Sequence, residues 1–273
     1  MPGKGWQSAP LFPSIRACWG DWRDLFSAVS VPWLLFESTA EGGGMASSLL
    51  ERWYRQIPRP RSRESFHSWF RNHKKFIEQF QNQVTSRYQE CTLQRLLSDG
   101  APTARDAAAF CLGLLGTWDS NPHLAAALQD EDEGIRQMAS EALWSLWFRA
   151  HEPRHTLELR RLVRLRDRRK ALEGLSALVQ EAPDFAEAWN QRAIIHFKSK
   201  RFEEAIADCE RALKLNPHHF GAHAGMAQCY MHMRRHASAL SAFRAAHQIN
   251  PHMDGIVSTI KLLEKALDEE PSE

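Results

Sequence analysis

Four histidines and a cysteine crowd into residues 216–232, which read NPHHFGAHAGMAQCYMH: His218, His219, His223, His232 and Cys229. Zinc favours imidazole nitrogen and thiolate sulfur, so a metal or redox site is the first chemistry to weigh. His219 and His223 stand four apart, a spacing that puts two side chains on one side of a helix. A second pair, His151 and Glu152, joins an imidazole to a carboxylate. A third group, Arg160, Arg164 and Arg168 in RRLVRLRDRRK, spaces guanidiniums four apart along what reads as one helix side. Such a face suits phosphates or an acidic protein surface. No glycine-rich phosphate loop, GxSxG elbow or HExxH occurs. What these side chains can do depends on the elements that hold them.

Those elements repeat. Residues 186–219 (AEAWNQRAIIHFKSKRFEEAIADCERALKLNPHH) align without a gap on residues 220–253 (FGAHAGMAQCYMHMRRHASALSAFRAAHQINPHM). Ala193 falls on Ala227, Ala205 on Ala239, Ala212 on Ala246, and Asn216-Pro217 on Asn250-Pro251. Small residues at fixed positions let paired helices approach closely, while bulky ones fill the space between pairs. Proline then stops the second helix of each pair, because it also disfavours helix in the residue before it. Upstream the period changes. Leu93, Leu97, Asp99, Arg105, Ala108, Leu112 and Leu115 return 31 residues later as Leu124, Leu128, Asp130, Arg136, Ala139, Leu143 and Leu146. Each unit reads as a helix, an acidic turn and an alanine-rich helix. Arg105 and Arg136 are expected to bond the turn acids of a neighbouring repeat.

The first pattern resembles the tetratricopeptide repeat, whose period is 34 residues. Ala205, Ala212, Pro217, Tyr230, Ala239, Phe243, Ala246 and Pro251 carry the likeness; Arg192 and His223 depart from it. Ala171, Leu175, Leu178 and Pro183 mark a degenerate earlier copy, and residues 254–270 read as a capping helix. The second pattern resembles a short HEAT-like repeat. The fold implied is all-α: a helical-hairpin solenoid with HEAT-like repeats in a 45–150 region, then tetratricopeptide repeats over 151–270. The resemblance also implies a concave groove lined by the first helix of each hairpin. Carried over by position, that groove takes Glu187, Asn190, Gln191, Ile194, Phe197 and Lys198 from one repeat. Gly221, Ala224, Gly225, Gln228, Met231 and His232 come from the next. Asn190, Gln191 and Gln228 can bond a peptide backbone, and Phe197 and Met231 offer apolar contact. The Lys and Asn pairs of the subset that binds chaperone tails are absent, so capture of a C-terminal carboxylate is not expected. Deoxyhypusine hydroxylases bind iron on HEAT-like repeats through several His-Glu pairs, but His151-Glu152 is the single pair here, and that likeness fails.

With the period overlaid, the histidine-rich stretch separates. Asn216-Pro217 ends a hairpin, His218 and His219 fall in the turn, and His223 takes the packing place of Trp189. His232 is left as a groove contact. No metal or cofactor is expected. The leading expectation is a non-enzymatic adaptor that holds a partner peptide or helix in its groove; a nucleic-acid- or ribosome-associated factor using the basic faces is the alternative. Arg52 to Lys75, with eight basic residues among aromatics, is a further basic zone. The chain has 273 residues and a net charge of only +2, which gives no global pull toward nucleic acid or membrane. Cys18, Cys91, Cys111, Cys209 and Cys229 are scattered and form no CxxC, the usage of reduced thiols in a cytoplasmic protein. The apolar run at residues 25–36 is too short to span a bilayer. Residues 1–44 lack periodicity, end in EGGG, and read as a disordered leader or as sequence ahead of a true start at Met45.

Overall fold

In the computed structural model the described residues are 48–58 and 72–269. The expectations for residues 1–44, and for Phe66, Trp69 and Phe70 of the first basic zone, lie outside them. Among the described residues there are thirteen α-helices and no strand. Helices α1 (Leu49–Arg55), α2 (Lys74–Thr85), α3 (Glu90–Asp99) and α4 (Pro102–Leu115) come first. A 3-10 turn (Trp118–Ser120) leads to α5 (Asn121–Ala127) and α6 (Glu133–Trp147). Then follow α7 (Pro153–Leu162), α8 (Arg168–Glu181), α9 (Ala186–Lys198), α10 (Phe202–Leu215), α11 (Phe220–His232), α12 (His236–Ile249) and α13 (Ile256–Asp268). From α7 onward each helix packs chiefly on its sequence neighbours, α9 on α10 and α11 on α12 most extensively, whereas in the first half α4 packs most on α6 and also receives α1 and α2. That is the solenoid the two periods predict.

Local chemistry sets the ends. Asp132 Oδ1 accepts from the Gly134 and Ile135 amides at 2.8 and 3.2 Å and starts α6. Pro102 and Pro153 occupy the first turns of α4 and α7, where the missing N–H costs nothing. Asn216 and Asn250, each before a proline, leave α10 and α12 in extended conformation. The α9–α10 and α11–α12 turns share a device: Lys200 and Arg234, 34 apart, both sit at φ 58°. The Arg201 and Arg235 amides then reach back to the His196 and Tyr230 carbonyls, each at 2.9 Å.

The repeat alanines do what the spacing requires: Ala193, Ala205, Ala212, Ala227, Ala239 and Ala246 are all buried. In the upstream half, a Cβ on Gly113 would stand 2.9 Å from the Ala142 Cβ, so α4 and α6 cross with no side chain between them. Arg105 bridges turns as expected, pairing Asp130 at 2.9 Å and Glu131 at 3.2 Å. Arg136 differs. Its Nη1 donates to the carbonyls of Asp130 and Glu131, both at 2.8 Å, and so closes the turn of its own repeat.

The sequence gives no hint that the two halves also meet away from their junction. Asn121 Nδ2 donates to Asn216 Oδ1 at 3.0 Å, and Trp147 Nε1 donates to Asn121 Oδ1 at 2.7 Å. Gln129 Nε2 reaches the carbonyls of Gln248 and Ile249 at 3.0 and 3.1 Å. Phe220, the first residue of α11, belongs to the same apolar core as Leu112, Leu143 and Trp147. The chain curls until its later turns rest on α5 and α6.

Candidate functional site

This curl divides the concave face. At one end, α6 lays Trp147 against His219, ring centroids 4.2 Å apart and nearly parallel, with Trp144 edge-on to the same imidazole. A Cβ on Gly221 would come within 2.6 Å of the Trp144 ring, so only glycine lets α11 approach this closely. Beneath the rings lies Glu187, its side chain fully buried. Its Oε2 bonds His219 Nε2 at 2.9 Å, and its Oε1 accepts from Gln191 Nε2 at 2.6 Å and Asn190 Nδ2 at 3.3 Å. His219 Nδ1 accepts from the Ala222 amide at 3.1 Å, which puts the ring proton on Nε2, facing the carboxylate. A buried carboxylate is tolerable only with its oxygens satisfied in this way.

Asn190 and Gln191 are therefore 2 % and 5 % exposed and already bonded within the chain. Ala224 is fully buried and packs in the core against α12 and α13. His219 lies in the turn ahead of α11, as its position suggests, but is wholly buried and caps that helix rather than facing solvent. With both its ring nitrogens engaged it has no lone pair for an ion, and the His219–His223 pair is not a ligand set. His223 is half-buried and its protonation is held down, first by burial and then by the neighbouring His219.

The other end is open. Asn190, Ile194, Phe197, Gly225 and Gln228 line a narrow cleft over Cys209 and Cys229. Gln228 is 8 % exposed, and its Nε2 has no hydrogen-bond partner. Phe197 and Phe202 flank an exposed His232, whose ring lies parallel to Phe202 with centroids 5.0 Å apart and edge-on to Phe197 at 5.3 Å. Met231 and Lys198 stand partly exposed beside them. Burial pushes the Cys229 thiol up to about 12 and the Cys209 thiol well above its ordinary value, so neither is poised as a nucleophile. Of the groove residues expected from sequence, Ile194, Phe197 and Gln228 meet at the open end and His232 packs on Phe197, while Lys198 only follows Phe197 at the end of α9 and Met231 packs on the core of α12 and α13. Phe202 was missed because it lies on the second helix of the hairpin, outside the positions the repeat pattern assigns to the groove.

The remaining candidates are accounted for locally. His151 Nδ1 accepts from the Glu152 amide at 2.9 Å and faces His155 Nδ1 at 2.7 Å, while its Nε2 meets Asp184 at 3.0 Å. That contact with His151 holds the Asp184 carboxyl below its ordinary value. Among the described residues, no group of three or more His, Cys, Asp or Glu is placed to hold a metal ion. Arg160, Arg164 and Arg168 do not share one helix side: α7 stops at Leu162, Arg164 lies in the turn, and Arg168 begins α8. Asp167 Oδ1 accepts from the Arg169 and Lys170 amides at 3.0 and 3.2 Å and so starts a new helix where the sequence reads as continuous. No helix among the described residues is long and apolar enough to cross a membrane.

Comparison with known proteins gives the same order of repeats, with the HEAT match running past residue 150. A model of HEAT repeats matches residues 92–185, and models of the tetratricopeptide repeat match residues 186–219 and 210–254. A TPR repeat-containing protein of Rhizobium etli is 40 % identical over 57 residues, which are 21 % of this chain and 28 % of that protein. The SGT1 homolog of Bos taurus is 30 % identical over 100 residues, 37 % of this chain and 30 % of its own. The matched stretch thus spans less than a third of either relative. Among solved structures, the TPR2B domain of yeast Sti1 in complex with pHsp70 aligns at 26 % identity and a TM-score of 0.37, covering 43 % of this chain and 96 % of that one. The first TPR of Spaghetti (RPAP3) bound to an HSP90 peptide aligns at 18 % identity and 0.36, covering 37 % and 81 %.

Proposed function

We propose that this chain, in which HEAT repeats lead into tetratricopeptide repeats, is a non-enzymatic interaction scaffold that holds an extended segment of a partner protein at the open end of its concave face. One observation carries the reading. Gln228 keeps a buried amide donor without a partner, beside Phe197 and Ile194, where a partner's main-chain carbonyl would satisfy it. An unpaired buried donor costs about 1–3 kcal/mol, so a bond made there on binding recovers a standing loss. Phe197, with Phe202 and His232 packed on it, supplies the apolar and aromatic contact nearby. The free space in the cleft is about that of one water molecule, so a partner segment lies across its mouth rather than inside it. Free thiols at Cys91, Cys111, Cys209 and Cys229 suit a reducing compartment, and we place the protein in the cytoplasm on that ground.

The test is selection from a displayed random-peptide library against the chain, with Gln228→Leu and Phe197→Glu as counter-targets. Peptides enriched on the parent and lost on both folded variants support the open end as the site. Equal enrichment on all three moves binding elsewhere.

A further inference from the structure

Residues 149–170 carry nine basic and three acidic side chains in a protein whose net charge is +2. The three acids are spent locally. Glu152 pairs with Arg154 at 2.9 Å, Glu158 with Arg161 at 2.6 Å, and Asp167 caps α8. Arg160, Arg164 and Arg166 are exposed and form no ion pair among the described residues. Arg149, behind them, is largely buried and donates to a main-chain carbonyl, that of Leu112, at 2.9 Å. Burial, and then the charge of Arg160, pull the Arg149 guanidinium down to about 10; burial and Arg164 do the same in direction to Arg160. Arg160 thus feels the charge of two other guanidiniums, Arg149 and Arg164, with Glu90 a partial counter-charge to Arg149, and an added carboxylate or phosphate would relieve that repulsion.

The ridge is not only charged. Leu157 is 65 % exposed, the most exposed large apolar side chain among the described residues. It lies one helical turn from Arg160 and Arg161 on the outer face of α7, and Arg164 follows in the turn after that helix. We infer that Leu157, Arg160 and Arg164, with Arg149 behind them, form a second docking ridge, and that it takes an acidic segment of a protein partner bearing an apolar residue beside its carboxylates. A nucleic-acid backbone would use the arginines and leave Leu157 in water; an amphipathic acidic segment uses both. The ridge lies outside the cleft, so a scaffold with both surfaces can hold two partners at once.

The test is a fluorescence-anisotropy titration of the full chain with a labelled peptide of repeated Leu-Asp-Glu, and with single-stranded oligouridylate of similar length as the second probe. The peptide binds, and more weakly as salt rises. Leu157→Ala lowers its affinity about tenfold. Arg160→Glu with Arg164→Glu abolishes binding, and Gln228→Leu leaves it unchanged, which separates the ridge from the cleft. These surface variants are checked for unchanged thermal melting first. No peptide binding at low salt, indifference to Leu157→Ala, or oligouridylate binding as tightly as the peptide overturns the inference.

Discussion

The two ends of the groove are built from the same pair of helices, α9 and α11, yet one is shut and the other open. At the shut end Glu187 has three donors, His219 has one group at each nitrogen, and the indole of Trp147 has Asn121, although Asn216 Nδ2 next to them has no partner. At the open end, Gln228 is as deeply buried as its neighbours but lacks a bond. Satisfied polar groups under aromatic rings mark a structural seam. The proposed site rests on an unsatisfied amide that also lies beside an exposed aromatic cluster. Residue type alone does not distinguish them, since both ends carry amides, glycines and a histidine.

Mutations should separate the two ends sharply. Trp147→Ala removes a ring that is 1 % exposed and stacked on His219, and should cost about 4 kcal/mol in chemical denaturation. Hydrogen exchange over residues 216–222 should rise with it; a denaturation midpoint that does not move would show that the seam holds without this ring. Glu187→Ala leaves three donors facing an empty site and should cost about 3 kcal/mol. Its counterpart Gln228→Leu removes an unpaired amide and should stabilise by about 1 kcal/mol, read in the same assay. A loss of stability there would mean that the amide is already satisfied in solution.

The glycines make a second matched pair. Gly221→Ala pushes a methyl group toward the Trp144 ring and should cost about 2 kcal/mol. At Gly225 a Cβ would meet only Cys209 Sγ, at 3.7 Å, so Gly225→Ala should be neutral or stabilise by about 0.5 kcal/mol through helix propensity. Acid should also act unevenly. Burial holds the His223 imidazole below its ordinary value of 6.5, so the folded state binds its proton less well than the unfolded chain does. The stability that this contributes is present above 6.5 and is lost as pH falls through the folded value. Exchange near residues 219–224 should therefore increase first on acidification, and His223→Gln should flatten that dependence. A comparably small effect belongs to the turns. Lys200→Gly and Arg234→Gly each relieve a left-handed backbone on a side-chain-bearing residue and should stabilise by about 0.5–1 kcal/mol in thermal melts.

The helical hairpins were legible because packing two helices closely imposes small residues at fixed intervals, and Ala193, Ala205, Ala212 and their copies record that demand directly. The proline stops after Asn216 and Asn250 were legible for an equally local reason. The fate of His219, and through Glu187 that of Asn190 and Gln191, was not, because the rings that cover His219, Trp144 and Trp147, are far away in sequence and share no period with it. The break between Arg160 and Arg168 lay in between. Arginine and leucine are good helix formers and disguise it, but Asp167, placed to cap the amides of residues 169 and 170, is the signal that could have revealed it. Arg136 shows a similar limit: the 31-residue spacing identified a turn arginine, while its choice of carbonyls over carboxylates depends on the local approach of the backbone.

The contacts between Asn121 and Asn216, and between Gln129 and Ile249, join residues 95 and 120 positions apart. Repeat proteins usually lose their end units one at a time, since each touches only its neighbours. Here the late repeats cannot fray from the C-terminal side without breaking bonds to α5 and α6, so the two halves should melt in a single transition. Closing so long a loop is also slow, because its entropy is spent before the contacts form. The curl that shuts half of the concave face should thus make this chain reluctant to fold and, once folded, equally reluctant to come apart by pieces.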